Sequence, residues 1–350
     1  MNFCSDNWAG AAPQIIDALA QEAGHYGGAY GSSDTDARIE TRFCEVFETD
    51  VAVFLVGTGT AANGLALAAV SRPGGIVLCH TDSHVEIDEC GGIALQGDGA
   101  RLRLIGGREG KMRPEDVAAA IEGFPRGKVH AGQLTAVSLA QLSEAGTVYA
   151  IDHIRAISDI AHEHGLAVHM DGARFANALV HLGVTPAQMT WKAGIDLLSF
   201  GGTKNGCIAA EALVVFNRDL AAQLPFLRMR AGHLFSKQRF LAAQFEAYLA
   251  DGLWLELAGH ANAMGERLRA GLAASNRARL AWPTPANEVF AIFSTELAKQ
   301  LRAAGAAFYE WDISGKDVLG LSDGEDVFRL IASFATCADD IDGFLEALAK

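Results

Sequence analysis

Ser199-Phe200-Gly201-Gly202-Thr203-Lys204-Asn205-Gly206 follows the apolar run Ile195-Asp196-Leu197-Leu198. Together they read as a buried strand, Ile195 to Phe200, ending in a glycine turn that carries a lysine. In open α/β sheets ligands lie outside the carboxyl ends of the strands, so Lys204 stands where such proteins place their chemistry. A lysine desolvated at such a place is a nucleophile toward carbonyls. A solvated loop lysine is the plainer reading, and a second strand argues against it. Leu166-Ala167-Val168-His169-Met170 ends in Asp171-Gly172-Ala173-Arg174, and 33 residues separate Asp171 from Lys204, room for one helix and one strand. The spacing predicts both side chains at one edge of one sheet.

A lysine and an acid so placed point to pyridoxal phosphate, which needs a lysine for its Schiff base and an acid to hold its pyridine nitrogen protonated. It also needs a phosphate cradle. Val51 to Val56 reads as a strand, Gly57-Thr58-Gly59-Thr60-Ala61-Ala62-Asn63 as a loop, and Gly64 to Val70 as a helix. Glycines let the backbone approach a ligand, and a helix N-terminus offers free N–H groups to an anion.

The 350 residues suffice for two domains and a large core. A net charge of −14 and a pI of about 5.2 argue against nucleic acid or an anionic membrane as the main partner. No apolar run is long enough to span a bilayer, and Met1-Asn2-Phe3-Cys4-Ser5-Asp6 has neither the basic nor the apolar region of a signal peptide. Six scattered cysteines (Cys4, Cys44, Cys79, Cys90, Cys207, Cys337) without a C-x-x-C pair fit a reducing compartment, the cytoplasm. Strands are expected at 76–79, 102–105 and 134–139, and helices at 13–23, 36–47 and 152–164. This alternation predicts an α/β fold with a mostly parallel sheet and helices on both faces. From Phe235 onward the pattern becomes long helices (236–250, 254–274), short strands (288–293, 306–311, 327–331) and a last helix (339–349). We therefore expect a large domain, 1–248, and a smaller C-terminal α+β domain, 249–350.

The order Ser5-Asp6-Asn7, Thr58-Gly59-Thr60-Ala61-Ala62-Asn63, Ser83-His84, Asp171-Gly172-Ala173-Arg174 and Ser199-Phe200-Gly201-Gly202-Thr203-Lys204 resembles the threonine aldolases. These belong to the aspartate-aminotransferase-like group of pyridoxal phosphate enzymes. The resemblance runs from about residue 3 to Ala349. Asp-Gly-Ala-Arg followed by lysine at this distance is its specific part, and Gly-Gly-Thr-Lys-Asn-Gly is similar to one bacterial branch of low-specificity aldolases.

The resemblance implies cleavage of small β-hydroxy-α-amino acids to glycine and an aldehyde. It implies that Lys204 forms the Schiff base, Asp171 holds the pyridinium, and Gly59 and Thr60 bind phosphate. Arg174 would reach the cofactor oxygen and the substrate carboxylate, and Ser5 and Arg329 would complete that carboxylate clamp, which suits a bidentate arginine. On the residues alone, a helix cap and surface ion pairs are the plainer readings of these three. The resemblance further stacks His84 on the cofactor ring. Against this stands a zinc reading of His80, His84 and Glu86 on one helical face, which lacks a third strong ligand at a recognised spacing; we expect no metal. Gln141 is expected to contact the cofactor. Arg230 and Lys237 fall where the family draws phosphate contacts from a second subunit, which implies a homodimer or homotetramer.

The β-hydroxyl proton needs a base. Relatives of another branch carry a histidine after Glu-Asn-Thr, where this chain has Ala140-Gln141-Leu142-Ser143-Glu144-Ala145-Gly146-Thr147. His84 is the first choice, with Glu144, His233 or a water as alternatives. An aminotransferase or β-eliminating lyase would share Lys204 and Asp171. A nucleotide-binding protein is disfavoured, since Gly57-x-Gly59 lacks the third glycine and no phosphate-loop motif occurs.

Overall fold

A computed structural model describes all 350 residues. Seven strands form the large sheet: β1 Ala52–Val56, β2 Gly75–His80, β3 Arg101–Ile105, β4 Gln133–Ala140, β5 Ala167–Gly172, β6 Leu197–Gly201 and β7 Glu211–Val215. Their order is β1-β7-β6-β5-β4-β2-β3. The β2–β3, β2–β4, β4–β5 and β5–β6 pairs are parallel. β7 is antiparallel to both β1 and β6. Buried on both faces, β6 and β7 read as continuous apolar runs rather than alternating ones.

Register gathers the chemistry at one edge. Asp171 pairs with Ala140 on one side and Ser199 on the other. Glu211 pairs with both Val56 and Gly201. The glycine loop after β1 and the lysine turn after β6 therefore leave the same end of the sheet. An aromatic cluster supports that end: Phe200 lies 5.5 Å from Phe43, 5.4 Å from Phe175 and 5.7 Å from Trp254, ring centre to ring centre. Burying Phe200 completely contributes about 1.5–3 kcal/mol and fixes the strand from which Lys204 departs. Within the turn, a Cβ on Gly201 would sit 2.4 Å from the Ala173 carbonyl oxygen, so no larger residue fits there.

A second, antiparallel sheet has the order β10-β11-β9-β8, with β8 Arg279–Leu280, β9 Glu288–Ser294, β10 Tyr309–Glu310 and β11 Glu325–Ile331. The expected strand 306–311 shrinks to Tyr309–Glu310, because Ala307 N–H and C=O bond the N-terminal segment instead. Phe3 N–H donates to Ala307, and Ile331 N–H donates to Phe3. The first residues thus lie on the C-terminal layer, and Ser5-Asp6-Asn7 is carried to the seam between the sheets. We propose the division 1–248 and 249–350, with Met1–Phe3 packed on the smaller unit. No helix is long and apolar enough to cross a membrane.

Candidate active site

The helix after β1 begins at Gly59, five residues before its expected start at Gly64. Thr58 makes this possible: its hydroxyl accepts the Ala61 N–H at 3.1 Å, an N-cap. The glycines therefore form the cap and first turn of the helix rather than a long loop. Open space lies before Gly59, where a Cβ would meet nothing within 4 Å. Gly57 is held from behind: its N–H donates to His233 Nδ1 at 3.3 Å, and a Cβ there would lie 2.9 Å from the Phe235 ring.

Gly59, Thr60, Asn63, His84, Glu144, Asp171, Lys204 and Glu211 line one cavity of about 260 Å³ at the carboxyl edge. Larger hollows of about 840 and 780 Å³ lie around Glu109 and Lys111, lined by no residue of the glycine turn, β5 or β6. Asp171 is buried at the end of β5. Its Oδ1 accepts the Ala173 N–H at 3.0 Å and its Oδ2 accepts Asn63 Nδ2 at 2.8 Å. Burial alone would raise its pKa, but the charges of His84 and Lys204 hold it below the usual range, so the acid is ionised. Behind it His169 is pushed down to about 4 by burial and sits neutral between the Ser138 and Ser199 hydroxyls, each 2.9 Å away.

Asn63 links two carboxylates, since Nδ2 also donates to Glu89 Oε1 at 2.8 Å. The same oxygen lies 2.8 Å from His84 Nδ1. That bond places the proton on Nδ1 and leaves Nε2 as the ring nitrogen without a protein partner. The Glu89 hydrogen bond raises the His84 pKa, outweighing burial. Glu89 itself is raised by burial. Sequence reading missed Glu89, because it lies five residues after His84, past the end of the short helix His84–Ile87, a spacing that belongs to neither a helix face nor a strand face. It missed Glu211 too, which sits inside an apolar run. Burial pushes Glu211 up to about 7, and its carboxylate accepts the Gly202 and Thr203 N–H groups at 3.3 and 3.4 Å, gripping the lysine turn.

Other sequence expectations need correction. Gln141 turns away from the cavity: its amide is satisfied by the Tyr149 backbone, donating to Tyr149 O and accepting Tyr149 N–H, both at 3.0 Å. Ser5 caps the first turn, its hydroxyl accepting Asn7 N–H at 3.1 Å, which leaves its own O–H to donate. His233 faces the back of the glycine turn and burial lowers its pKa, so in this chain it positions Gly57 and does not line the cavity. Arg230 and Lys237 are exposed and outside the cavity. His80, one arm of the zinc reading, bonds Asp82 N–H and the Gly107 carbonyl, while His84 starts a four-residue helix, His84–Ile87.

Arg174 is not free either. Its Nε and Nη2 donate to both oxygens of Asp6, at 2.7 and 3.0 Å, and its Nη1 lies 3.4 Å from Glu288 Oε1. Arg329 shares this seam. Its guanidinium lies 3.7 Å from the centre of the Trp311 ring, and its buried Nε has no hydrogen-bond partner.

The residues fit pyridoxal phosphate. Gly59 and Thr60 at the helix start, with open space before them, would hold its phosphate. Asp171, ionised and supported by Asn63, would hold its ring nitrogen, Lys204 its carbonyl carbon, and His84 its ring face.

The model of the beta-eliminating lyase family matches residues 2–295. The low specificity L-threonine aldolase of Pseudomonas aeruginosa is 42% identical over 307 residues, 88% of each chain. That of a further Pseudomonas species is 40% identical over 89% of this chain and 90% of its own. A threonine aldolase structure from Leishmania major superposes with a TM-score of 0.91 at 29% identity, covering 99% of this chain and 98% of that one. Serine palmitoyltransferase of Sphingomonas wittichii, at 16% identity and a TM-score of 0.73, shares the fold. The chain belongs to the beta-eliminating lyase family and, within it, to the threonine aldolases.

Proposed function

We propose that this member of the threonine aldolases cleaves L-threonine, L-allo-threonine and related β-hydroxy-α-amino acids to glycine and an aldehyde. It is a pyridoxal phosphate-dependent lyase. The observation that carries the reading is the meeting of Lys204, Asp171, His84 and the glycine helix start around one cavity. Pyridoxal phosphate, when bound, supplies an electron sink for the bond broken at Cα. Lys204 brings the amine that anchors it, and Asp171 holds a proton on its ring nitrogen. His84 would lie against the ring face, and its Nε2 takes the β-hydroxyl proton as the Cα–Cβ bond breaks. Glu89 keeps the opposite nitrogen protonated, which fixes the working tautomer. Arg174 and Arg329 orient the substrate carboxylate.

We further place the enzyme in the cytoplasm, a setting that agrees with its six free cysteines. We expect a homodimer or homotetramer, in which Arg230 and Lys237 reach a neighbour's phosphate. Support for an interface comes from exposed Phe226 and Met229 on the same helix as Arg230. Incubation with L-threonine tests the function. Equimolar glycine and acetaldehyde are expected. Ammonia with a 2-oxo acid would instead assign β-elimination, and a requirement for an added 2-oxo acid would assign transamination.

A further inference from the structure

The seam between the sheets holds more negative charge than its arginines balance. Asp6, Glu144 and Glu288 face Arg174 and Arg329. Asp6 is well served, with two N–H groups of Arg174 and, at 3.3 Å, Asn287 Nδ2. Glu288 is not. It opens β9, its side chain is wholly buried, and neither carboxylate oxygen accepts a hydrogen bond. Arg174 Nη1 stands 3.4 Å from Oε1 outside hydrogen-bond geometry. A buried carboxylate so placed is costly in its charged form. Strand pairing with Ile331 would be served by any side chain, so the fold does not require an acid here.

We propose that Glu288 takes up a proton as the substrate carboxylate enters beside Arg174 and Arg329. This rests on reading those arginines as the carboxylate clamp. The incoming anion replaces the charge of Glu288 as their partner. One proton passes from solvent to the Glu288 carboxyl, and no other bond forms or breaks. Without it, a seam of three carboxylates and two guanidiniums would gain a fourth negative group.

Burial pushes the Glu288 carboxyl up to about 6, although Arg174 and Arg329 pull it down; Asp6 and Glu144 push it the same way as burial. Arg174 faces it from the turn after β5, Arg329 from β11, Asp6 from the N-terminal turn and Glu144 from the loop after β4. A further anion among them raises it again. The sign follows: below about pH 6 Glu288 is already neutral and no proton is needed. Above that, each bound carboxylate brings a proton, so affinity falls as pH rises, by up to about tenfold per unit.

The test uses the cofactor-loaded enzyme and propionate, a carboxylate without an amine to react at the cofactor. Calorimetric titration in two buffers of different ionisation enthalpy counts the protons taken up. At about pH 7.5 the wild type should take up about half a proton or more, falling toward zero near pH 5. Glu288→Gln should take up almost none and bind propionate at about pH 8 roughly tenfold more tightly than wild type. No uptake by the wild type at the higher pH overturns the proposal, whatever the variant does. Unchanged uptake in a Glu288→Gln protein with the wild-type visible spectrum and melting temperature overturns it too. Arg329→Gln separates the underlying reading: if it binds propionate as tightly as wild type, the clamp itself falls and the proposal with it.

Discussion

The carboxyl edge of the large sheet and the seam between the sheets use the same kinds of side chain but pair them differently. At the edge, Asp171, Asn63, Glu89 and His84 form a continuous chain of hydrogen bonds, each about 2.8 Å long. Each of these four residues has a direct partner before any ligand arrives, although Asn63 Oδ1 and Glu89 Oε2 stay unpaired. At the seam, Asp6 takes the fork of Arg174, while Glu288 and the Nε of Arg329 have no hydrogen bond. On the proposed reading, the edge would hold a resident group and the seam one that comes and goes, and the seam's unmatched charges are what a transient carboxylate would meet.

Substitutions of the edge groups that would hold the cofactor should therefore cost more than those at the seam, and substitution of an edge group that acts only through His84 should cost least. Lys204→Ala should abolish cleavage and the cofactor's visible band, because no other lysine lines the cavity. Glycine release and absorbance of the pure variant decide this, and turnover within about tenfold of wild type would remove Lys204 from its role. Asp171→Asn should keep some bound cofactor and lose roughly 10²-fold in rate or more, since an amide cannot hold the ring nitrogen protonated and its NH₂ would face the Asn63 donor. A loss under about tenfold would make Asp171 a structural residue.

At the seam, Arg329→Gln should raise the KM for L-threonine roughly tenfold with a smaller change in kcat, the pattern of lost ground-state binding. An unchanged KM would place the carboxylate elsewhere. The smallest effect is expected from Glu89→Gln. The Glu89 hydrogen bond is the main cause raising His84, so its loss lowers that pKa. The working base is neutral, and activity rises as pH climbs through its pKa. The acid limb of kcat/KM should thus move to lower pH in Glu89→Gln, with a rate change of about tenfold or less. An acid limb that stays in place would separate Glu89 from the base.

The sequence disclosed the edge better than the seam, and the reason is physical. Asp171 and Lys204 end apolar strands of a parallel sheet, and that pattern alone puts them side by side. Glu89 meets His84 from five residues further on, past the end of a four-residue helix, a spacing no periodicity announces. Glu211 hides in an apolar run because its strand is buried on both faces. At the seam the partners are far apart in the chain: Arg174 meets Asp6 across 168 residues. Only the pairing of Phe3 with Ala307 and Ile331 brings that turn there. Gln141 failed as a cofactor contact because the Tyr149 backbone claimed its amide first.

The most direct measurement concerns the base. His84→Asn keeps a polar side chain of similar reach but removes the nitrogen left open by the Glu89 bond. The purified variant should retain its visible cofactor band and cleave L-threonine roughly 10²-fold more slowly or worse. Cleavage near the wild-type rate with the band intact would contradict this role for His84 and pass the proton to Glu144 or to water.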